Sequence, residues 1–319
     1  MENFTIKGRY KKENGNIQLF NTGSTISLDV KGNYVTFELG SLKKPCYIYI
    51  IKDFDFNQKK KYFVDVNLCI RLNLLDDKPH HIDLVKANES MDNTLVVKKV
   101  EIDGEILKSS GKTAKFVKVY GDSTIAGYGI LAHEGVPDID TNDGVEDFCF
   151  RALYNLKFDY DIFAASGWGI TFSAYTVPKE IGIEKYRENL CVTSNEKWFS
   201  KKADLLIISL GTNDMSFINE NLDRKDELIA HFINSYANLI KEERKNDPSL
   251  PVLMVYGSLK EEFVYPLIEK AYTELSKKFD NIYIIKMSGD NTGLSGHSYY
   301  TYHEEMSKEL EKKILSIIQ

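Results

Sequence analysis

The sequence has 319 residues, of which 43% are hydrophobic and 28% charged, as in ordinary soluble globular proteins. Its 47 acidic and 41 basic residues give a net charge of −6, and this mild acidity argues against binding to a nucleic-acid backbone. No window approaches the roughly 18 apolar residues of a membrane span and the first residues lack a signal-peptide pattern, so we expect a cytoplasmic protein.

The four cysteines are scattered along the chain and form neither a CxxC pair nor a zinc-type spacing: they are Cys46, Cys69, Cys149 and Cys191. We therefore expect free thiols rather than a disulfide framework. The same pattern predicts no metal centre.

Residues 1–110 are predicted to form an all-β domain. Short runs such as 34–39 and 46–51 alternate polar and apolar residues and are rich in β-branched and aromatic side chains. Turn signals, among them residues 31–33 and 103–104, separate these runs. Short strands at this spacing are typical of a sandwich or jelly roll.

Three aromatic residues of this region, Tyr47, Tyr49 and Phe56, are candidates for a sugar-binding surface. The alternative is that they fill the core of the sandwich. The pattern favours the core, because aromatic side chains on half-buried strands are most often packing residues.

From residue 111 to residue 319 the pattern changes to strands that alternate with helices. This alternation is typical of the α/β class, with a parallel sheet covered by helices on both faces. The predicted strands are 115–120, 160–165, 203–210, 251–256 and 281–286, and the main predicted helices are 145–156, 226–245 and 303–318. In such sheets, ligands bind beyond the carboxyl ends of the strands.

Four polar stretches fall at those strand ends: Gly121-Asp122-Ser123, Ser166-Gly167, residues 211–214 and the segment leading to His297. A buried strand that breaks at a glycine and presents a serine is one way to expose a nucleophile. Taken alone, Gly121-Asp122-Ser123 is better explained as a strand that ends in a helix cap, with Ser123 as the N-cap. The other three stretches change that balance.

The four stretches, in this order and each after the expected strand, resemble the SGNH (GDSL) hydrolase superfamily over residues 115–319. Residues 121–129, 165–169 and 297–303 are similar to carbohydrate esterase family 2, and Gly8-Arg9-Tyr10 is similar to the start of that family's jelly-roll domain. The resemblance implies a three-layer, flavodoxin-like hydrolase domain preceded by a jelly roll. It also implies an acetylesterase that removes O-acetyl groups from a sugar or oligosaccharide.

The resemblance also implies a role for each site residue. Ser123 is the expected nucleophile and His297 the expected base. The backbone amides of Ser123 and Gly167, with the side-chain amide of Asn213, are expected to form the oxyanion hole. Trp168 is expected either to line the mouth of the pocket, where it would stack on a sugar ring, or to pack between the domains. No cofactor is implied.

Two aspartates of the same stretches, Asp122 and Asp214, are expected to be structural. Each is placed to hold its loop by accepting hydrogen bonds from backbone N–H groups.

The chain departs from the superfamily pattern next to the expected base. The superfamily has an aspartate three residues before the histidine, where this chain has Leu294, and Ser295 stands where the narrower family can carry one. The base is therefore expected to be oriented by a backbone carbonyl, which gives a Ser-His dyad, or by Asp290 reaching back. His303 is the competing base, but its place at the start of the last helix favours His297.

Three functions stay open at this stage. The leading one is an acetylesterase acting on carbohydrates. The second is a general short-chain esterase or thioesterase with the same side chains. The third is a carbohydrate-binding relative that has lost catalysis, although the presence of all the expected site residues argues against such a loss.

Overall fold

The computed structural model describes residues 4–107, 114–174, 176–257 and 259–318. Within these residues an antiparallel sheet of nine strands is followed by a parallel sheet of five. The predicted combination of an all-β part with a parallel α/β part is thus confirmed. The predicted domain boundary between residues 110 and 111 lies outside the described residues, and the jelly-roll topology stays a prediction.

The antiparallel sheet is built around two long central strands, β4 and β9. Its strands are β1 (Thr5–Lys7), β2 (Tyr10–Glu13), β3 (Asn16–Leu19), β4 (Thr25–Lys43), β5 (Cys46–Lys52), β6 (Lys60–Val64), β7 (Leu68–Asn73), β8 (His80–Lys86) and β9 (Asn93–Ile106). Seven strands follow the order β2-β3-β9-β4-β8-β5-β6, and β1 and β7 pair with β4.

Two of the predicted turns are wrong, because β4 and β9 continue through residues 31–33 and 103–104. Gly32 and Gly104 lie opposite each other in the ladder, and the register shifts between Gly32 and Tyr34, as at a β-bulge. A Cβ atom at Gly32 would lie 2.1 Å from the carbonyl oxygen of Asp103. The glycines therefore allow a close approach of two strands rather than a reversal of the chain.

The parallel sheet follows the prediction closely. Its strands are β10 (Phe116–Gly121), β11 (Asp159–Ala164), β12 (Leu205–Ser209), β13 (Val252–Tyr256) and β14 (Ile282–Lys286), in the order β11-β10-β12-β13-β14. Every neighbouring pair is parallel. Each strand end lies within two residues of its predicted position.

Helices cover both faces of this sheet. They are α1 (Ser123–Ala126), α2 (Phe148–Asn155), α3 (Ile183–Tyr186), α4 (Thr212–Glu220), α5 (Lys225–Glu243), α6 (Glu261–Ser276) and α7 (Tyr300–Ile317). Leu206 and Ile208 of β12 face a core shared with α5 and α6, whereas Leu205 and Ile207 face a core shared with α2 and α7. In the part of the chain that the structure describes, no helix is both long enough and apolar enough to span a bilayer.

The antiparallel part packs on the α2 and α7 side of the parallel sheet. Tyr49 is 5% exposed in this second core, and its hydroxyl donates a hydrogen bond of 2.7 Å to Asp143. Tyr47 and Phe56 are half-buried against the same core. The expectation that these aromatic residues fill the interior of the sandwich is therefore wrong, since they form the contact with the α/β part.

A buried ion pair also joins the two parts. The Arg9 guanidinium donates to both carboxylate oxygens of Asp161 in β11, at 3.0 and 3.1 Å, and both side chains are at most 2% exposed. The same guanidinium stacks on the Phe163 ring, 4.0 Å from its centroid. Removal of one partner of such a pair leaves an uncompensated buried charge, so this contact fixes the first strands against the parallel sheet.

Candidate active site

Ser123 lies in the first turn of α1, directly beyond the carboxyl end of β10. The N-cap is Asp122, whose carboxylate accepts a hydrogen bond of 3.0 Å from the Thr124 N–H. The cap role predicted for Ser123 thus belongs to Asp122, as the structural role expected for that aspartate implies. The strand turns sharply into the helix at Gly121, where a Cβ atom would lie 2.4 Å from the Ile125 side chain. After this turn, the Ser123 hydroxyl can bond a partner side chain from a distant part of the chain.

That partner is His297, 174 positions later in the chain. Its Nε2 lies 2.8 Å from the Ser123 Oγ, and its Nδ1 lies 3.1 Å from the carbonyl oxygen of Leu294. Because a carbonyl can only accept, Nδ1 carries the proton, and Nε2 accepts from the serine hydroxyl. The pair therefore has the tautomer that a general base needs.

A backbone carbonyl orients the imidazole of His297, which is the first of the two arrangements expected from the sequence. The carbonyl belongs to Leu294, the position at which the superfamily has its aspartate. Ser295 is exposed and has a left-handed backbone conformation with φ of 56°. The Asp290 carboxylate accepts a hydrogen bond of 3.1 Å from the Tyr299 N–H, and so holds the start of α7.

The environment of His297 favours the neutral imidazole. Burial lowers its pKa from 6.5 to about 4, although the hydrogen bond to the Leu294 carbonyl acts in the opposite direction. Electrostatic interactions with His303 and Lys260 also act to lower the pKa of His297. His297 is therefore unprotonated and able to accept a proton throughout the neutral pH range.

His303 is buried and bound to backbone groups. Its Nδ1 accepts from the Phe148 N–H at 3.1 Å, and its Nε2 donates to the Ser298 carbonyl at 3.2 Å. Both ring nitrogens of this histidine are used to join α2 to the start of α7. The geometry gives His303 a structural role and makes His297 the candidate base.

The loops after β11 and β12, which carry Gly167 and Asn213, begin at the same edge of the sheet as the segment that carries Ser123. Gly121 pairs with Ala164 on one side and with Ser209 on the other, so β10, β11 and β12 end side by side. Parallel strands that end in register bring the loops after them to one edge of the sheet.

Hydrogen bonds tie two of these loops together. The Asn213 side-chain amide, in the first turn of α4, donates to the Trp168 carbonyl at 3.2 Å. The Asp214 carboxylate accepts from the backbone amides of residues 170–172 at 2.8 to 2.9 Å. The structural role predicted for Asp214 is thus confirmed. Gly167 lies in the loop after β11, directly before Trp168, and has a positive φ of 78°.

Trp168 is buried in the core of the α/β part. It is 6% exposed, and its indole packs edge-on against the Tyr186 ring with 5.1 Å between the centroids. This placement leaves no exposed face on which a sugar ring would stack. The prediction that Trp168 lines the mouth of the pocket is not supported, because tertiary packing covers the ring.

Two residues near the site were given no role in the sequence analysis. The Tyr128 ring lies 5.3 Å from the His297 ring, centroid to centroid. Glu89, which comes from the antiparallel part, is 4% exposed and accepts a hydrogen bond of 2.8 Å from the Ser166 N–H. Both residues line a cavity of about 420 Å³, together with Asn142 and Ser166. Tyr128 belongs to the 121–129 block and was within reach of sequence reasoning, whereas Glu89 was not.

Comparison with solved structures shows that family two carbohydrate esterases have a similar architecture. One such esterase from Clostridium thermocellum, in complex with cellohexaose, superposes with a TM-score of 0.83 over 98% of both chains at 18% identity. An acetyl xylan esterase from the rumen bacterium Butyrivibrio proteoclasticus superposes with a TM-score of 0.84 at 17% identity, over 100% of this chain and 96% of its own. The chain has the fold of these esterases, as its sequence resemblance predicted.

Sequence comparison points the same way. A segment of 190 residues, 58% of the chain, is 25% identical to the cellulase/esterase CelE of Acetivibrio thermocellus. The match spans 22% of that relative's length. No family model matches the chain.

Proposed function

We propose that the protein is a serine esterase that removes O-acetyl groups from carbohydrates. The observation that carries this proposal is the 2.8 Å contact between the Ser123 hydroxyl and a neutral, buried His297. Its support is the shared fold, because the proteins with that fold include an acetyl xylan esterase and an esterase in complex with cellohexaose.

In the proposed reaction, the Ser123 Oγ attacks the acetyl carbonyl carbon while Nε2 of His297 takes the hydroxyl proton. The negative charge that develops on the carbonyl oxygen is stabilised by the amides of Ser123 and Gly167 and by the Asn213 side chain. The tetrahedral intermediate then expels the sugar alkoxide, which takes the proton from the imidazolium. Water hydrolyses the acetyl-enzyme by the same steps, with His297 again acting as the base.

The absence of a carboxylate at Nδ1 has a cost in this scheme. The imidazolium that forms during attack is stabilised by the neutral Leu294 carbonyl, which attracts it less than a carboxylate would. The low pKa of His297, however, keeps this base unprotonated at mildly acidic pH. We therefore propose a Ser-His dyad that works at moderate rate over a wide pH range.

The test is acetate release from acetylated mono- and oligosaccharides and from 4-nitrophenyl acetate. Wild type should hydrolyse both substrates, and Ser123→Ala should release no more acetate than buffer. Ser307→Ala is the matched control, because Ser307 is also buried but lies in α7, where its hydroxyl binds the Glu304 carbonyl. Wild type that releases no more acetate than buffer would reject the esterase and leave the non-catalytic binding function standing. Equal release above that level by wild type and Ser123→Ala would reject Ser123 as the nucleophile.

A paired substitution tests the base. His297→Ala should abolish turnover, whereas His303→Ala should weaken the fold more than the chemistry, since it removes a link between α2 and α7. The assignment would be reversed if the protein with Ala at position 303 stayed folded and inactive while the protein with Ala at position 297 turned over normally.

A further inference from the structure

A buried segment of the antiparallel part, residues 87–89, follows β8 and contacts the active-site loops. Residues 82–90 are all buried. The carbonyl of Ala87 accepts a hydrogen bond of 3.0 Å from the Gly144 N–H, between α1 and α2. This segment therefore lies against the α/β part rather than in the interior of the antiparallel part.

Glu89 contacts the turn that carries Gly167, one of the expected oxyanion donors. Its carboxylate accepts the Ser166 N–H at 2.8 Å, and Ser166 directly precedes Gly167. On either side, the Ala165 N–H donates to the Gly121 carbonyl at 3.2 Å and the Gly167 carbonyl accepts from the Ala174 N–H at 2.7 Å. Glu89 thus holds Ser166, whose neighbours Ala165 and Gly167 are themselves held by backbone hydrogen bonds. Burial raises the pKa of Glu89, whereas the hydrogen bond from the Ser166 N–H lowers it by favouring the carboxylate. In either protonation state a carboxyl oxygen accepts the Ser166 N–H and restrains the backbone there.

Asn88 reaches the opposite side of the site by a chain of hydrogen bonds. Its side-chain amide donates to the Asn142 carbonyl at 3.0 Å, and the Asn142 side chain accepts from the Gly129 N–H at 2.7 Å. The Gly129 carbonyl in turn accepts from the Leu294 N–H at 3.2 Å. Leu294 is the residue whose carbonyl orients His297. Segment 87–89 is therefore connected to both the oxyanion side and the base side of the site.

We propose that Glu89 is a positioning residue for the esterase reaction, which holds the Ser166-Gly167 turn so that the Gly167 N–H faces the developing oxyanion. This inference rests on the proposed function. It makes the antiparallel part a component of the active site rather than a separate binding module. The other account of Glu89 is direct recognition of substrate, because the residue also lines the 420 Å³ cavity.

The experiment compares Glu89→Ala, Glu89→Gln and Glu89→Asp with wild type in the hydrolysis of 4-nitrophenyl acetate and of an acetylated sugar. Glu89→Ala should lower kcat by about 10- to 100-fold with little change in KM, since misplacing one oxyanion donor acts on the transition state. Glu89→Gln should restore most of kcat, because its amide oxygen still accepts the Ser166 N–H. Glu196→Gln, at an exposed residue paired with Lys11, is the control.

Hydrogen exchange of the Ser166 amide gives a readout that does not depend on turnover. Exchange should become faster in Glu89→Ala and stay slow in Glu89→Gln. If the Ala variant does not fold, Glu89→Asp serves in its place, since it keeps the charge but shortens the reach by one methylene.

Each other result overturns the inference. A raised KM with unchanged kcat would make Glu89 a substrate-binding residue. Equal losses in the Gln and Ala variants would mean that the charge, not the hydrogen bond to Ser166, matters. Wild type that releases no acetate would reject the proposed function and this inference with it, a result distinct from an active wild type with an equally active Glu89→Ala variant.

Discussion

The acid limb of the pH profile is the sharpest consequence of the site. The pKa of His297 is lowered to about 4 by burial, and the group at its Nδ1 is a carbonyl rather than a carboxylate. At pH 5 a group with a pKa of about 4 is roughly 90% unprotonated, whereas one with a pKa of 6.5 is roughly 3% unprotonated. Protonation of His297 by itself should thus leave about nine-tenths of the plateau kcat/KM at pH 5, roughly 30 times what an ordinary histidine would allow.

The assay is initial acetate release at low substrate concentration from about pH 4 to about pH 8, so that kcat/KM reports the free enzyme. Far-UV circular dichroism over the same range separates protonation of the base from acid unfolding. An acid limb with its midpoint at 6.5 or above, in protein that is still folded, would refute the reasoning. It would mean that His297 is either more solvated than this geometry makes it or not the essential base.

Four other substitutions give defined outcomes. Asn213→Ala should lower kcat by about 10²- to 10³-fold in protein that keeps its fold, and near-normal turnover would remove Asn213 from the oxyanion hole. Ser295→Asp should raise the pKa of His297, because a nearby carboxylate favours the imidazolium. The acid limb of the pH profile should then move to higher pH. An unchanged acid limb would show that a carboxylate at this exposed position does not reach the ring. Asp214→Ala should lower the free energy of unfolding by about 3 kcal/mol or more, measured in urea, since three buried N–H donors lose their acceptor at about 1–3 kcal/mol each. Arg9→Ala should cost about 3–5 kcal/mol in the same assay, because it leaves Asp161 charged and buried, and a loss below 1 kcal/mol would show that Asp161 is neutralised by other means.

The sequence by itself was sufficient for the parallel sheet and for the polar loops that carry the candidate site. Buried parallel strands are continuous apolar runs that end at glycine or polar residues, so their limits and the polar loops beyond them can be predicted from local pattern. That is why Ser123, Gly167 and Asn213 were found at adjacent strand ends. Local pattern misled at Gly32 and Gly104, because a glycine that allows two strands to approach closely looks the same in sequence as a glycine in a turn.

Only the tertiary structure decided what surrounds those residues. Whether Trp168 faces a ligand or a core depends on which helix packs over its ring. In the structure that helix is α3, whose Tyr186 contacts the indole. The partner of His297 is a backbone carbonyl, which has no side-chain signature in sequence. Glu89 lies 77 positions from Ser166, in a segment between two strands of the other sheet, so no spacing rule connects them. Short-range pattern located the polar residues at the strand ends, and the family resemblance implied their roles. Their orientation and protonation arise from burial and from hydrogen bonds between distant parts of the chain.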